Sequence, residues 1–450
     1  MNDDLLSLCR RLIAIPSVTG EGTRRIAEFC ATELLAPIGI SAGLIPSPGE
    51  GGEQVNLVAL IEGHVRNALP LVLNTHLDSV PPGDSALWTE CGGDAFKAVV
   101  NDDRIYGLGS ADTKLDLAAK ITALMEVGKP RRDVYLVGTF GEEHGLVGAK
   151  EVAAAAMLPR GALAFVGEPS HLHVITAHKG LMAFEMAARF APLPIKMLAP
   201  PATIEVAGRA AHSSTPALGI NAIKAAFAAI AKSPNLAVLS INGGDAVNKV
   251  PARCEVVFAE AQDASAPSSE SKVPPEALAV VANFIAALEE YASRNGPDEP
   301  DYAAPTLTCN PGVIRTHDDS ITLEFELRPP PSLALDEVRK GVAALVRGVS
   351  APAPGIRLEL TEKRANPGFR SPSGSETVEL AMGALARAGL PLNSAVKTGC
   401  TEAGIYAAAG LTPVVIGPGP SVGVIHAPNE YNLLSDVDAA VRFYRALLEL

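Results

Sequence analysis

Five short segments carry side chains able to hold a cation or move a proton, each closing an apolar run or sitting in a glycine-rich turn. Leu71-Val72-Leu73-Asn74-Thr75-His76-Leu77-Asp78 ends on an imidazole and a carboxylate, and Val134–Phe140 leads into Gly141-Glu142-Glu143. Leu163–Val166 leads into Gly167-Glu168-Pro169. Gly107-Leu108-Gly109-Ser110-Ala111-Asp112-Thr113-Lys114 opens a helical stretch, and Val422-Gly423-Val424-Ile425-His426 brings a second imidazole. Singly, each has an ordinary reading: a hydrogen-bonded strand-end His76, a helix-capping Asp112, a turn at Glu168, solvated Glu142 and Glu143, a surface His426. Together they read differently. If the apolar runs are strands of one α/β sheet, their C-terminal ends gather in one crevice. Five acidic or imidazole groups, one from each segment, would then leave about three net negative charges there, which is costly unless cations neutralise them. Two imidazoles and three carboxylates, with no cysteine, suit zinc or another divalent ion of similar preference.

The elements that must position these residues form a repeating pattern. Strand-like runs at Asn56–Ile61, Leu71–Asn74, Asp133–Thr139, Ala162–Val166 and Pro413–Ile416 alternate with helical stretches at Asp116–Val127, Ser375–Ala388 and Asp436–Leu450. Several runs are apolar on consecutive positions, as strands covered on both faces are. Residues 4–36 have helical spacing, broken at Pro16-Ser17-Val18-Thr19-Gly20 into two helices. This pattern predicts an α/β fold, a three-layer catalytic domain on a mixed sheet. From Leu181 to Arg364 the layout changes to α+β: strands at Ala202–Val206, Val238–Ile241, Ala252–Phe258, Ser320–Leu327 and Gly355–Thr361, with helices at Asn221–Ala231, Pro275–Arg294 and Asp336–Val349. Ala261–Pro274, poor in large apolar residues, reads as a solvated loop. The expected organisation is a catalytic domain in two segments, 1–180 and 365–450, with a lid domain, 181–364, inserted between them.

Bulk properties agree and exclude other classes. A chain of 450 residues exceeds what one core usually holds, and 48% apolar content is that of a globular protein. The net charge is −13 with no basic stripe, which argues against nucleic acid or an anionic membrane as partner. The six cysteines are scattered without a Cys-x-x-Cys pair, suiting neither a disulfide framework nor a thiolate zinc site. Met1-Asn2-Asp3-Asp4 lacks the positive charge of a secretory leader, and no apolar run approaches the ~20 residues that span a bilayer. The expected location is cytoplasmic.

The five motifs, in this order, resemble the co-catalytic zinc hydrolases that include acetylornithine deacetylase, succinyl-diaminopimelate desuccinylase, the glutamate-releasing carboxypeptidases, aminoacylase and several dipeptidases. The resemblance implies two zinc ions per chain, with cobalt or manganese as alternatives. His76 and Glu168 would hold one ion, Glu143 and His426 the other, with Asp112 bridging. Asp78 would accept the spare N–H of His76. Glu142 would be the general base that takes a proton from the zinc-bound water and delivers it to the leaving amine. In the insert, Gly208-Arg209-Ala210-Ala211-His212 resembles the family's lid histidine motif, with His212 helping to stabilise the oxyanion. Asn248, Arg328 and Gly399 are the implied substrate contacts, Arg328 as a bidentate carboxylate clamp or, on an ordinary reading, a surface ion-pair partner.

The chain departs from the pattern in places. Leu115 and Asp116 stand where many relatives have a glycine pair, and the second half of the insert is similar to the enlarged lid of the dipeptidases. The resemblance is compatible with a homodimer. Glutamate at position 168, and the segments Lys397–Glu402 and Gly417–Gly419, favour a deacylase of small N-acyl-amino acids over a metallo-dipeptidase or carboxypeptidase acting on dipeptides. A non-catalytic binding protein on this scaffold would lack Glu142 or a ligand, and both are kept. A serine or cysteine hydrolase would need Ser421 or Cys400. Gly419-Pro420-Ser421-Val422-Gly423 matches the nucleophile elbow, yet Pro428 follows where a helix is required.

Overall fold

The computed structural model describes residues 3–48, 53–233, 235–263, 271–350 and 355–450. Its contacts divide into two units, Met1–His178 with Phe369–Lys397 and Thr401–Leu450, and Lys179–Gly368 with Thr398–Cys400.

The first unit is built on a mixed nine-stranded sheet. Its order is Ala42–Pro46, Val55–Ile61, Val134–Thr139, Leu71–His76, Leu163–Gly167, Thr412–Val415, Val174–His178 and Phe369–Arg370, with Ser394–Lys397 also pairing with Val174–His178. Leu71–His76 runs parallel to both Val134–Thr139 and Leu163–Gly167. Strand alternation sends Leu71, Leu73, Leu136, Phe165 and Val414 into the main core, packed by helices Asp3–Ile13, Lys114–Val127, Glu376–Arg387 and Leu434–Leu448. Val72, Val137, Val166 and Val415, of opposite parity, are buried as well. Helices Val147–Ala154 and Ala403–Ala408 pack on each other and on the sheet. A sheet buried on both faces between helices is the three-layer α/β arrangement. Its three central parallel strands end on the same side, one at His76 and the others just before Glu142 and Glu168.

The second unit is an antiparallel seven-stranded sheet in the order Ala202–Ala207, Arg253–Ala259, Ala237–Gly243, Thr308–His317, Ser320–Arg328, Leu181–Arg189 and Arg357–Asn366. Helices Ala222–Ala231, Pro275–Arg294 and Leu335–Ser350 supply its core with Phe184 stacked on Phe325 and Phe284 edge-on to it. Asn221 caps the first of these helices, its side chain accepting the backbone N–H groups of Ile223 and Lys224. The expected loop at 261–274 is instead strand at both ends, Ala261–Asp263 and Ser271–Lys272, each pairing with Leu193–Met197; residues 264–270 lie outside the described residues. Cross-strand hydrogen bonds hold these polar residues, which no hydrophobic alternation marks. Among the described residues no helix is long and apolar enough to cross a membrane.

Candidate metal centre

His76 closes a strand whose six residues are all buried. Its Nδ1 lies 2.9 Å from the backbone oxygen of Asp78, so the ring donates there and leaves Nε2 as the free donor atom. Nε2 stands 3.1 Å from Asp112 Oδ1, and the other oxygen of Asp112 is 3.2 Å from His426 Nε2. That same His426 nitrogen is 3.0 Å from Glu143 Oε1. Asp112 thus faces one imidazole with each carboxylate oxygen. Its position is set by the preceding turn, where the backbone N–H groups of Ala111 and Asp112 donate to Glu430 Oε1 at 2.8 and 3.0 Å.

The glutamates gather around this line. His76, Glu142 and Glu168 offer donor atoms within 4.8 Å of one another, and Asp112, Glu143 and His426 form a second such group. Glu168 Oε2 also receives the ammonium of Lys397 at 3.0 Å. Gly417 lies against Glu168, where a Cβ would come within 2.6 Å of the Glu168 backbone oxygen. The acceptor for the His76 N–H is the Asp78 carbonyl, whereas Asp78 Oδ1 is 3.7 Å away. The Asp78 carboxylate accepts instead from the backbone of Glu142 and Glu143. In that tight turn the two amides point at it, and charge-assisted bonds to them outcompete a distant ring N–H.

The electrostatics show what the crevice lacks. Burial and the neighbouring Glu168 and Glu143 push Glu142 well above the carboxylate range, and burial raises Glu143. Burial would lower His76, yet Asp112 and Asp78 outweigh it and hold the ring well above its ordinary value. Hydrogen bonds to Asp112 and Glu143 push His426 up to about 11. Burial would raise Asp112, but the two imidazoles hold it well below the usual range. The protein's own groups therefore leave the crevice short of positive charge. Divalent cations answer that imbalance, and a donor set of imidazole nitrogen and carboxylate oxygen without thiolate fits zinc.

The remaining expected site residues, His212, Asn248, Arg328 and Gly399, fall in the second unit and share one neighbourhood there. His212 Nδ1 lies 2.6 Å from Ser214 Oγ, which donates to Thr398 Oγ1, beside Gly399, at 3.1 Å. The Ser213 N–H donates to the Asn248 carbonyl at 3.0 Å. Arg328 is buried and donates through Nε to Glu326 Oε1 at 2.5 Å, an oxygen that also accepts from Ser213 Oγ. Its burial rules out the surface ion-pair reading.

Sequence reasoning missed five residues. Lys397 touches Glu168, and Glu430 holds the Asp112 turn. Glu402 is buried with Oε2 accepting from Thr139 Oγ1. Asp116 and Lys120 form a fully buried pair under the sheet ends. A usable signal existed for the last: opposite charges four apart set among Leu115, Leu117, Ala118, Ala119 and Ile121.

A family model described as peptidase family M20/M25/M40 matches residues 72–450. Acetylornithine deacetylase from Photorhabdus laumondii is 32% identical over 279 residues, 56% of this chain and 65% of that protein. The Klebsiella pneumoniae acetylornithine deacetylase is 31% identical over 278 residues, 56% of this chain and 66% of its own length. The chain thus spans just under two thirds of these relatives. Among solved structures, aminoacylhistidine dipeptidase from Vibrio alginolyticus superposes with a TM-score of 0.68 at 17% identity, covering 99% of this chain and 96% of that one. The M20 family metallo-carboxypeptidase Sso-CP2 from Sulfolobus solfataricus gives 0.63 at 17% identity, covering 100% and 99%.

Proposed function

The chain belongs to peptidase family M20/M25/M40, and from that premise we propose that it is a two-zinc hydrolase cleaving the amide bond of a small N-acyl-amino acid. The observation that carries the reading is the two donor groups, His76 with Glu142 and Glu168 and Asp112 with Glu143 and His426, joined where Asp112 faces one imidazole with each carboxylate oxygen. His76 and Glu168 would hold one ion, Glu143 and His426 the other, and Asp112 both. Bound there, the ions would polarise the scissile carbonyl and acidify the attacking water.

The chain's own residues do the rest. Glu142 takes the proton from the attacking water at its carboxylate and returns it to the leaving amine nitrogen. A carboxyl whose proton affinity is raised by burial is suited to hold that proton between the two transfers. Asp78 fixes the turn that aims Glu142, and its carbonyl fixes the His76 tautomer. On the sequence resemblance, His212 is the donor to the tetrahedral oxyanion, and Asn248, Arg328 and Gly399 contact the substrate.

The acetylornithine deacetylases among the relatives, and a glutamate at position 168, favour an acylated amine over a free one. The likeness in fold to an aminoacylhistidine dipeptidase supports a second reading, a dipeptidase with the same machinery. Matched panels of N-acetyl-amino acids and free dipeptides, assayed with zinc restored after chelation, separate them. Turnover of the acetylated panel alone is expected; turnover of dipeptides alone moves the chain to the second reading.

A further inference from the structure

Asp116 and Lys120, one turn apart on the helix Lys114–Val127, are fully buried with Oδ2 and Nζ 2.6 Å apart. Lys120 Nζ donates to the Asn74 carbonyl at 2.5 Å, to Thr75 Oγ1 at 2.9 Å and to the Phe165 carbonyl at 3.5 Å. Thr75 Oγ1 also donates to Asp116 Oδ2 at 2.6 Å. The other Asp116 oxygen accepts from the Tyr444 hydroxyl, which lies 3.2 Å from the Ile416 carbonyl. One ion pair therefore grips two neighbouring strands, directly before His76 on one and three residues before Glu168 on the other. The fit leaves no slack: a Cβ on Gly167 would come within 1.8 Å of Asp116 Oδ2 and 2.8 Å of Lys120 Nζ.

A buried ion pair is weak evidence for stability, because desolvating both charges offsets much of their attraction. Its geometry is more specific than stability requires. We propose that Asp116 and Lys120 are positioning residues for one of the two metals, the ion held by His76 and Glu168, and not for the other. Among the described residues the strand groups these two side chains hydrogen-bond, on Asn74, Thr75 and Phe165, lie on the strands that lead to His76 and Glu168, and none lies on the segments that carry Glu143 and His426. The inference rests on the two-metal reading above and adds an asymmetry to it.

Zinc titration against a competing chelator tests it on the full chain, with folding followed by circular dichroism. The variants are Lys120→Met and the charge-free pair Asp116→Asn with Lys120→Met, the second guarding against an uncompensated buried charge. One of two binding steps should weaken about 10–100-fold, as loss of a supporting contact to a ligand does, while the other stays at its wild-type value. His426→Ala should weaken the complementary step. Equal weakening of both steps, or two unchanged steps in a folded variant, overturns the proposal. So does unfolding of both variants, which would make the pair a stability element. A wild-type chain with no zinc step removes the two-metal reading and this inference with it.

Discussion

Asp78 Oδ1 accepts the backbone N–H of Glu142 at 3.1 Å, and its second oxygen lies 3.3 Å from the nitrogen of Glu143. One carboxylate thus holds the turn that carries both the proposed base and a proposed ligand, while the ring of His76 is served by the Asp78 carbonyl. Asp78→Asn keeps that carbonyl but presents an amide N–H to one of the two backbone donors. We expect kcat to fall about 10–100-fold, the usual scale for losing a supporting contact, with zinc affinity at the His76 ion nearly unchanged. Parallel kcat and zinc titrations decide; a zinc loss as large as the rate loss would return the carboxylate to His76.

Glu142 and Glu143 are adjacent, yet their donor atoms fall in different groups. If Glu142 is the base, Glu142→Gln should lower kcat by about 10²–10⁴-fold with two zinc ions still bound. Glu143→Gln should lose one zinc together with activity. Metal analysis after dialysis reads both. Loss of zinc from the Glu142 variant would make Glu142 a ligand alongside His76 and Glu168.

How much of this was legible varied with the physical signal. The metal-capable residues were readable because each follows an apolar run or glycine-rich turn, and open α/β sheets gather such ends in one place. Helix Pro275–Arg294 was readable to the residue, with proline at its start and Asn295-Gly296 beyond its end. The strand Leu181–Arg189 was not. Leu-Met-Ala-Phe-Glu-Met-Ala-Ala is a run of helix formers, and only pairing with Ser320–Arg328 and Arg357–Asn366 makes it extended. The Asp78 carbonyl left no trace because every residue has one. Asp116 and Lys120 went unread as a pair, because opposite charges four apart on a helix are most often solvated and only the packing shows these buried.

Arg328 and Glu326 make a second buried pair, each nearly without exposure, in the other unit. Removing only the cation strands Glu326 with Ser213 as its remaining donor. Arg328→Met should therefore destabilise the chain by about 3–5 kcal/mol, and Glu326→Leu added to it should recover most of the loss. Denaturant midpoints of the wild type, the single and the double variant test this. A single variant of wild-type stability would show that the guanidinium is free to serve a substrate carboxylate at no structural cost.

Glu402 offers a pH signature. It is buried, accepts a hydrogen bond from Thr139, and is pushed up to about 7 by burial. In the unfolded chain it titrates near the ordinary glutamate value of about 4.3. Between these values the folded state binds the extra proton, so the contribution to stability is fully present below the unfolded pKa and declines as pH rises toward 7. Above that it stays low, at a total loss of about 4 kcal/mol. Glu402→Gln, neutral throughout, removes the dependence. Melting temperatures of the two chains after zinc chelation should differ by a gap that moves steadily against the wild type from pH 4.5 to 7 and is flat from 7.5 to 9. A gap independent of pH across the whole range would mean that Glu402 ionises in the fold as it does in water, through solvation that its burial does not suggest.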